Sequence, residues 1–416
     1  MLDIKIIRQN PEKIKKACQD KQVKVDLDEL LKIDQEKRNL IKENEKLKSA
    51  HNKLSQKISQ LKGEAKQELI TEAKNLVKKI QTSNQALEEK QTRFKQLMLL
   101  IPNPPLAEVK KGKGEQDNRI LRKWGKIPQR SFVAQDHVVL GEKLDLIDTK
   151  KAGQVSGSRF AYLKNKLVLL EFALIQFSFN FLTQKGFVPV LPPVMIKKEP
   201  MAAMGYLERG VEEVYRTVQD NLYLVGTGEQ SIGPLHMNEI LDKLPRRYVA
   251  FSPCFRREAG SYGRDVKGIL RVHQFDKIEM FSFSSPLKSR EEHQFLLSLE
   301  EKLVQSLKIP YQVMDICSGD LGDPAAAKYD IECWLPGQKR YRETHSTSNC
   351  TDFQSRRLNI KFRNSEGELE YVHTLNGTVF ALGRILIAIM ENYQQADGSI
   401  KVPKVLQKYT GFKKIN

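Results

Sequence analysis

Apolar residues recur at every seventh position through the first hundred residues of this 416-residue chain. Ile33, Leu40, Leu47, Leu54 and Leu61 form one row, with charged or amide residues between them. Beyond Gly63 a second row follows, of Ala73, Ile80, Leu87, Phe94 and Ile101. Leu69 and Leu76 occupy its companion seam position, which Ser83 and Lys90 then interrupt, and Lys37, Asn44 and His51 hold that position on the first helix. A seven-residue repeat keeps one apolar stripe facing a partner helix. Two such helices joined at a glycine turn predict an antiparallel coiled-coil hairpin over about 27–100. At ~1.5 Å per residue, about 35 residues make an arm of ~50 Å. A dimerising coiled coil is the ordinary use of heptads, but a turn this tight favours self-pairing. The polar seam positions imply moderate stability.

The arm carries charge. Up to residue 110 there are 24 basic and 16 acidic side chains, and the whole chain has a net charge of +18. That excess suits a polyanion such as nucleic acid, although a lysine-rich proteome gives the same number. Five cysteines with no C-x-x-C pair argue against a disulfide framework and against a zinc finger. Met1–Lys5 is not a signal peptide, and no apolar run approaches the ~20 residues of a membrane span. A cytoplasmic setting is expected.

Asn10-Pro11-Glu12 predicts a short helical lead-in, with proline at the first helical position. Pro102, Pro104 and Pro105 end the second heptad helix, and Lys110–Gly114 reads as a flexible basic linker. Boundaries of 1–105, 106–130 and 131–416 follow. In the last segment, 165–184 is helical with a broad apolar face, and Gly186–Pro193 starts an extended run. Strands are expected at 222–226, 247–252, 277–283, 311–315 and 329–334. Hairpin-linked strands with helices between them give an α+β class, built on an antiparallel sheet.

The chemistry concentrates at 251–281. Phe255-Arg256-Arg257-Glu258 opens a Gly-rich excursion marked by Gly260, Gly263 and Gly268, and Arg271–Phe275 returns from it. This predicts an antiparallel hairpin whose guanidinium groups face phosphate or carboxylate oxygens. A generic arginine cluster on an exposed hairpin would simply be solvated. Two later segments shift that balance: Glu343–Cys350 with Asp352-Phe353-Gln354, and His373–Gly377 with the apolar helix after Arg384.

The Gly186–Pro193 stretch resembles motif 1 of class II aminoacyl-tRNA synthetases. Phe255-Arg256-x-Glu258 resembles motif 2, and Gly377–Arg384 with the helix 385–390 resembles motif 3. Within that class, Arg271–Glu279, Glu343–Cys350, the HTLNG and ENYQ stretches and the heptad arm are similar to the seryl-tRNA synthetases, over essentially the whole chain. The resemblance implies a ligase that joins L-serine to ATP as seryl-adenylate and transfers it to tRNA(Ser), with tRNA(Sec) a further substrate where present. It implies a homodimer formed through motif 1 and an arm that reads the long extra arm of the tRNA.

The resemblance also implies roles. Arg256 would bridge the serine carboxylate and the α-phosphate, with Glu279 and Arg384 as the other catalytic groups. Thr227, Gly228, Glu229, Asn376 and Thr378 would complete the serine pocket, with Glu279 on the ammonium. Arg257, Glu258, Arg271, Val272, Phe275, Glu343, Thr344, His345, Ser346 and Arg384 would hold ATP, the adenine lying between Phe275 and Arg384. Glu343 and Ser346 would carry Mg2+, a hard cation for hard oxygen ligands. The spacing of the cysteines and of His273 and His345 fits no zinc pattern. Gly228, Arg257, Thr347, Val379 and Phe380 depart from the family's usual residues, which bears on the shape of the serine pocket. Glu279 also has a plain alternative as the ion-pair partner of Lys277. A class II paralogue that binds RNA or loads another acceptor is the competing function. It would lack the arm or have lost Arg256, Glu279 or Arg384.

Overall fold

The computed structural model describes residues 2–62, 64–259 and 267–416. The glycine turn at Gly63 and the loop glycines Gly260 and Gly263 lie outside the described residues. The chain divides into two compact units, one of 2–19 with 23–102, the other of 20–22 with 103–416.

The first unit begins with α1 (Ile4–Gln9) and α2 (Pro11–Asp20). Two long helices follow, α3 (Leu27–Gln60) and α4 (Glu64–Leu100). Asp26 caps α3 by accepting from the Glu29 amide at 2.8 Å. The helices run antiparallel, since residues early on α3 meet residues late on α4. Arg93 donates both arms of its guanidinium to Glu29 at 2.8 Å. Lys90 pairs with Glu36 at 2.6 Å, and the Lys37 ammonium lies 3.4 Å from the centre of the Phe94 ring. Lys37 therefore fills its seam position with a cation on an aromatic face. Asn44 and Ser83 are buried with polar atoms that lack partners among the described residues, so the polar interruptions cost stability. At the base, Asp34 is wholly buried and held by Arg8 at 2.7 and 2.8 Å and by Arg38 at 3.2 Å.

The second unit is built on one sheet of eight strands. These are β1 (Arg119–Trp124), β2 (Val188–Val190), β3 (Arg246–Phe255), β4 (Gln274–Ser284), β5 (Tyr311–Asp315), β6 (Ala327–Leu335), β7 (Arg340–Asn349) and β8 (His373–Ala381). Their spatial order is β1-β5-β6-β7-β8-β4-β3-β2. Every pair is antiparallel except the last, where β2 runs parallel to β3 at the sheet edge. The expected 251–281 hairpin is the pair β3–β4, in register from Arg246 opposite Phe283 to Phe255 opposite Gln274. Its strands run longer than the sequence reading, and β1, β7 and β8 were not anticipated as strands.

Three helices pack on this sheet: α5 (Lys166–Thr183), α6 (Ser289–Ser306) and α7 (Leu382–Tyr393). Leu167, Leu170 and Leu174 of α5, Leu296, Leu299 and Leu303 of α6 and Ile385–Ile389 of α7 join Ile278, Met280, Val313 and Ile331 in one core. The opposite face of β4 sends Phe281 and Phe283 into a second cluster with Tyr248, Leu358 and Ile360. That alternation is the two-residue period of a strand buried on both faces. By length and hydropathy alone α5 could cross a bilayer, at a mean hydropathy of 1.4 over 18 residues. The expectation of no such apolar run needs that amendment. Its inner face is core, while Leu169 and Phe172 on the other face stay 51% and 62% exposed.

Candidate active site

The end of β4 that pairs with β3 opens on a cavity of about 490 Å³. Phe275, Lys277 and Glu279 project into it, because alternate residues of a strand share a face. Neighbouring strands add their own residues at matching register. Thr378 of β8 lies opposite Glu279, Asn376 opposite Ser348 of β7, and Lys328 of β6 opposite Ser348 on the other side. A bulge between Thr378 and Phe380 lets β8 turn into α7, whose first turn presents Arg384. Four strands and one helix start thus converge on one hollow.

The deep end is a hydrogen-bonding pocket. Thr227 donates to Glu279 at 3.1 Å and accepts from the Lys277 ammonium at 3.0 Å, while Lys277 also pairs directly with Glu279. The Lys277–Glu279 ion pair weighed from sequence is therefore real, and it sits inside the cavity rather than on the surface. Tyr206 donates to Glu229. Burial pushes the Glu229 carboxyl up to about 7, helped by the nearby Glu279 charge and opposed by the Tyr206 hydrogen bond and by Lys277 and Arg256. Asn376 and Thr378 are buried alongside. Beneath them, a Cβ on Gly377 would come within 2.9 Å of a Glu300 oxygen, so only glycine fits there without a shift. Glu300 is fully buried with neither oxygen partnered among the described residues, and burial keeps it protonated far above the usual range.

The open end is cationic. Arg256 donates to the Gly226 carbonyl at 3.1 Å, with its guanidinium 5.3 Å from the centre of the Phe275 ring. Arg271 pairs with Glu258 at 2.7 Å. Arg384 donates to the Glu343 carbonyl at 3.0 Å and lies 3.2 Å from its carboxylate. Burial pushes Glu343 up, but Arg384 and Lys328 outweigh it and hold the carboxyl below its usual range. Lys328 pairs with Asp330 at 3.0 Å, and Asp330 lies opposite Ser346 in the β6–β7 register. Behind Phe275 a second cavity of about 300 Å³ is lined in part by Glu171 and Asp276. Burial and Asp276 push Glu171 up to about 8.

Fifteen sequence-predicted residues line the larger cavity: Thr227, Glu229, Arg256, Glu258, Arg271, Val272, Phe275, Glu279, Glu343, Thr344, His345, Ser346, Asn376, Thr378 and Arg384. Two predicted residues do not. Gly228 sits behind the wall, where an added Cβ would approach Ser252 Oγ at 3.2 Å. Arg257 is exposed, with its guanidinium 6.0 Å from the Tyr215 ring. His345 reaches the cavity but is buried and bonded to Thr344 at 2.7 Å, and desolvation drives its pKa down to about 3. It stays neutral. Among the cavity residues to which the sequence reading gave no place in the site are Tyr206, Lys277, named there only as an ion-pair partner of Glu279, and Lys328. Lys277 was within reach, since it alternates with Phe275 and Glu279. Tyr206 lies in an irregular stretch after the helix Lys198–Met204, which gives no periodic signal.

Comparison with known proteins places this geometry. Residues 1–105 match the seryl-tRNA synthetase N-terminal domain, and 212–393 match the class II tRNA synthetase core domain of the G, H, P, S and T enzymes. The serine–tRNA ligase of Dictyoglomus thermophilum is 47% identical over 421 residues, covering 100% of this chain and 99% of that protein. The crystal structure of seryl-tRNA synthetase from Pyrococcus horikoshii complexed with ATP superposes with a TM-score of 0.92 at 42% identity, over 100% of this chain and 99% of that one. The cytoplasmic serine–tRNA ligase of Naegleria fowleri in complex with AMP gives a TM-score of 0.87 at 34% identity, over 100% and 99%. Matched over its whole length by one set of relatives, the chain belongs to the seryl-tRNA synthetase family of class II aminoacyl-tRNA synthetases.

Proposed function

We propose that the cavity joins L-serine to ATP and then passes the seryl group to tRNA(Ser), so that the chain acts as a serine–tRNA ligase. The observation that carries the reading is the division of one hollow into a carboxylate-lined, hydrogen-bonding end and an arginine-lined end. An amino acid ammonium and a small hydroxyl suit the first, and a polyphosphate suits the second. Glu279 takes the serine ammonium, with Lys277 and Thr227 holding its carboxylate in place. Glu229, Asn376 and Thr378 surround the side-chain hydroxyl, while Gly228 shapes the wall behind. Arg256 lies between the two ends, where it meets both the serine carboxylate and the α-phosphate. The carboxylate oxygen attacks that phosphorus, the bond to the bridging oxygen breaks, and pyrophosphate leaves. Arg256 stabilises charge that grows as this happens. In the second step the terminal ribose hydroxyl attacks the acyl carbon, and AMP leaves.

Phe275 and Arg384 take the two faces of the adenine, Glu258 and the Val272 backbone read its edge, and Arg271 and Arg384 draw in the γ-phosphate. Thr344 and His345 support the wall of that end, and Arg257 stays at its margin. Magnesium fits Glu343 and Ser346. Glu343 is held ionised, and the neighbouring Asp330 has a buried oxygen without a hydrogen-bond partner, so the donor set is hard oxygen throughout. Bound there, the ion would neutralise phosphate charge.

The segments 1–105 and 131–416 serve as arm and catalytic domain, while the expected linker 106–130 contributes Arg119–Trp124 to the catalytic sheet as its strand β1. Arm and tRNA pair through basic flanks and the phosphate backbone, tRNA(Sec) being a further substrate where present. The chain works as a homodimer in the cytoplasm. The test of the activity is ATP–pyrophosphate exchange with magnesium and no added zinc. Serine should drive exchange, and alanine should fail by orders of magnitude, because a site built for a hydroxyl leaves its polar groups unpaired when alanine binds, while threonine is excluded by the bulk of its extra methyl. Equal exchange with another amino acid, or with none, would overturn the assignment.

A further inference from the structure

Tyr206 is a cavity residue to which the chemistry above gives no work. It follows Gly205, which ends the helix Lys198–Met204 in the left-handed conformation at φ 91°. That turn is crowded, since a Cβ on Gly205 would lie 3.0 Å from the Phe353 ring and 3.2 Å from Pro324. The ring of Tyr206 packs against Met201, Tyr223 and Val225 on one side, and the residue borders the Met204–Ile232 cluster on the other. The residue lines the cavity, and its hydroxyl donates to Oε1 of Glu229.

Glu229 is 4% exposed. Among the described residues its Oε2 has no hydrogen-bond partner, and the carboxylate faces the cavity. A carboxylate with both oxygens loose could turn about its last torsion, which is broad and roughly two-fold. With one oxygen tied to a phenol on a packed ring, the other is aimed. We infer that Tyr206 is a positioning residue for serine selection: it fixes the Glu229 carboxylate so that its second oxygen accepts from the substrate's side-chain hydroxyl. The inference rests on the assignment of Glu229 to that hydroxyl. It deepens the assignment by naming what orients the carboxylate and keeps it an acceptor.

The charges around Glu229 give the hydroxyl a second effect. Glu279 faces the carboxylate and favours its protonation, as burial does, while Lys277 and Arg256 favour the ionised form. The Tyr206 hydrogen bond acts with the two cations. A protonated Glu229 would offer serine a donor where the bound state needs an acceptor. Removing the phenol hydroxyl therefore both loosens the carboxylate and raises its affinity for a proton.

The test compares Tyr206→Phe and Glu229→Gln with the full-length wild type in pyrophosphate exchange. Tyr206→Phe keeps the packed ring. It should raise the serine KM by roughly tenfold or more, the weight of a hydrogen bond to a charged group. The ATP KM should stay unchanged, and the preference for serine over alanine should fall by the same factor. The acid limb of the kcat/KM profile for serine should move to higher pH. An unchanged serine KM, or serine and ATP KM rising together with a lower melting temperature, would overturn the positioning role. Glu229→Gln separates the two levels. If it leaves the serine-over-alanine preference intact, the assignment of Glu229 itself fails. If it abolishes that preference while Tyr206→Phe behaves as wild type, the assignment stands and only the role of Tyr206 falls.

Discussion

Arg256 and Glu279 meet different moments of the reaction, so their loss should read differently. Arg256→Ala removes a contact to charge that builds up in the transition state, and kcat for exchange should fall about 10²- to 10³-fold. Removing Glu279 leaves the serine ammonium without its counter-charge and should appear as a raised serine KM. It also strands Lys277, whose ammonium is paired with Glu279 and, among the described residues, otherwise held by Thr227. An unpaired buried charge is costly, so Glu279→Gln, which keeps an acceptor of the same shape, is the cleaner variant. Both should bind tRNA nearly as wild type does. A Glu279 variant with wild-type serine affinity would show that the pocket is misassigned. The anion-facing groups of this site were legible because guanidinium and carboxylate side chains cluster in the 251–281 hairpin, whereas Thr227, Glu343, Ser346, Asn376 and Thr378 entered only through the resemblance to a known family. Tyr206 was not legible, because its work depends on a contact with Glu229, 23 residues away. Lys328 was hidden for a related reason. A lysine on a strand reads as solvated until the fold puts Asp330 and Glu343 around it.

The seam of the arm is visible in a seven-residue repeat, because helix geometry alone sets that period. The helix Lys166–Thr183 is equally plain from its apolar content. The helix Ser289–Ser306 is harder, since its inner face carries Glu292, His293 and Glu300 among the leucines. Two of these buried polar groups have a tertiary cause: Glu292 takes Arg247 at 2.6 and 2.7 Å, and His293 bonds the Thr347 carbonyl at 3.1 Å. Strand β7 was masked by its own chemistry, being mostly polar residues that face the cavity or the core helix. The edge strand Val188–Val190 and the outer face of α5, with Leu169 and Phe172, are apolar surface on consecutive stretches of chain. A second copy of the chain is the occupant that motif 1 implies. Light scattering at micromolar concentration should give twice the chain mass, and Phe172→Glu should shift it toward the monomer. A fully active monomeric wild type would refute the dimer.

At the scale of the whole molecule, the account separates two tasks between two units. The sheet unit carries every group assigned to serine and ATP, and its core is made of its own strands and helices. The helical unit carries heptads, basic flanks and none of the adenylation chemistry. Deleting Leu27–Leu100 and closing the gap with a short Gly/Ser link therefore asks one question of both. Serine-dependent exchange and the charging of tRNA(Ser) should be measured side by side on the intact and armless chains, across a series of salt concentrations. The account predicts that exchange persists in the armless chain while charging falls by orders of magnitude. It also predicts that tRNA binding weakens steeply with salt only in the intact protein. An armless chain that charges tRNA as well as the intact one would contradict it.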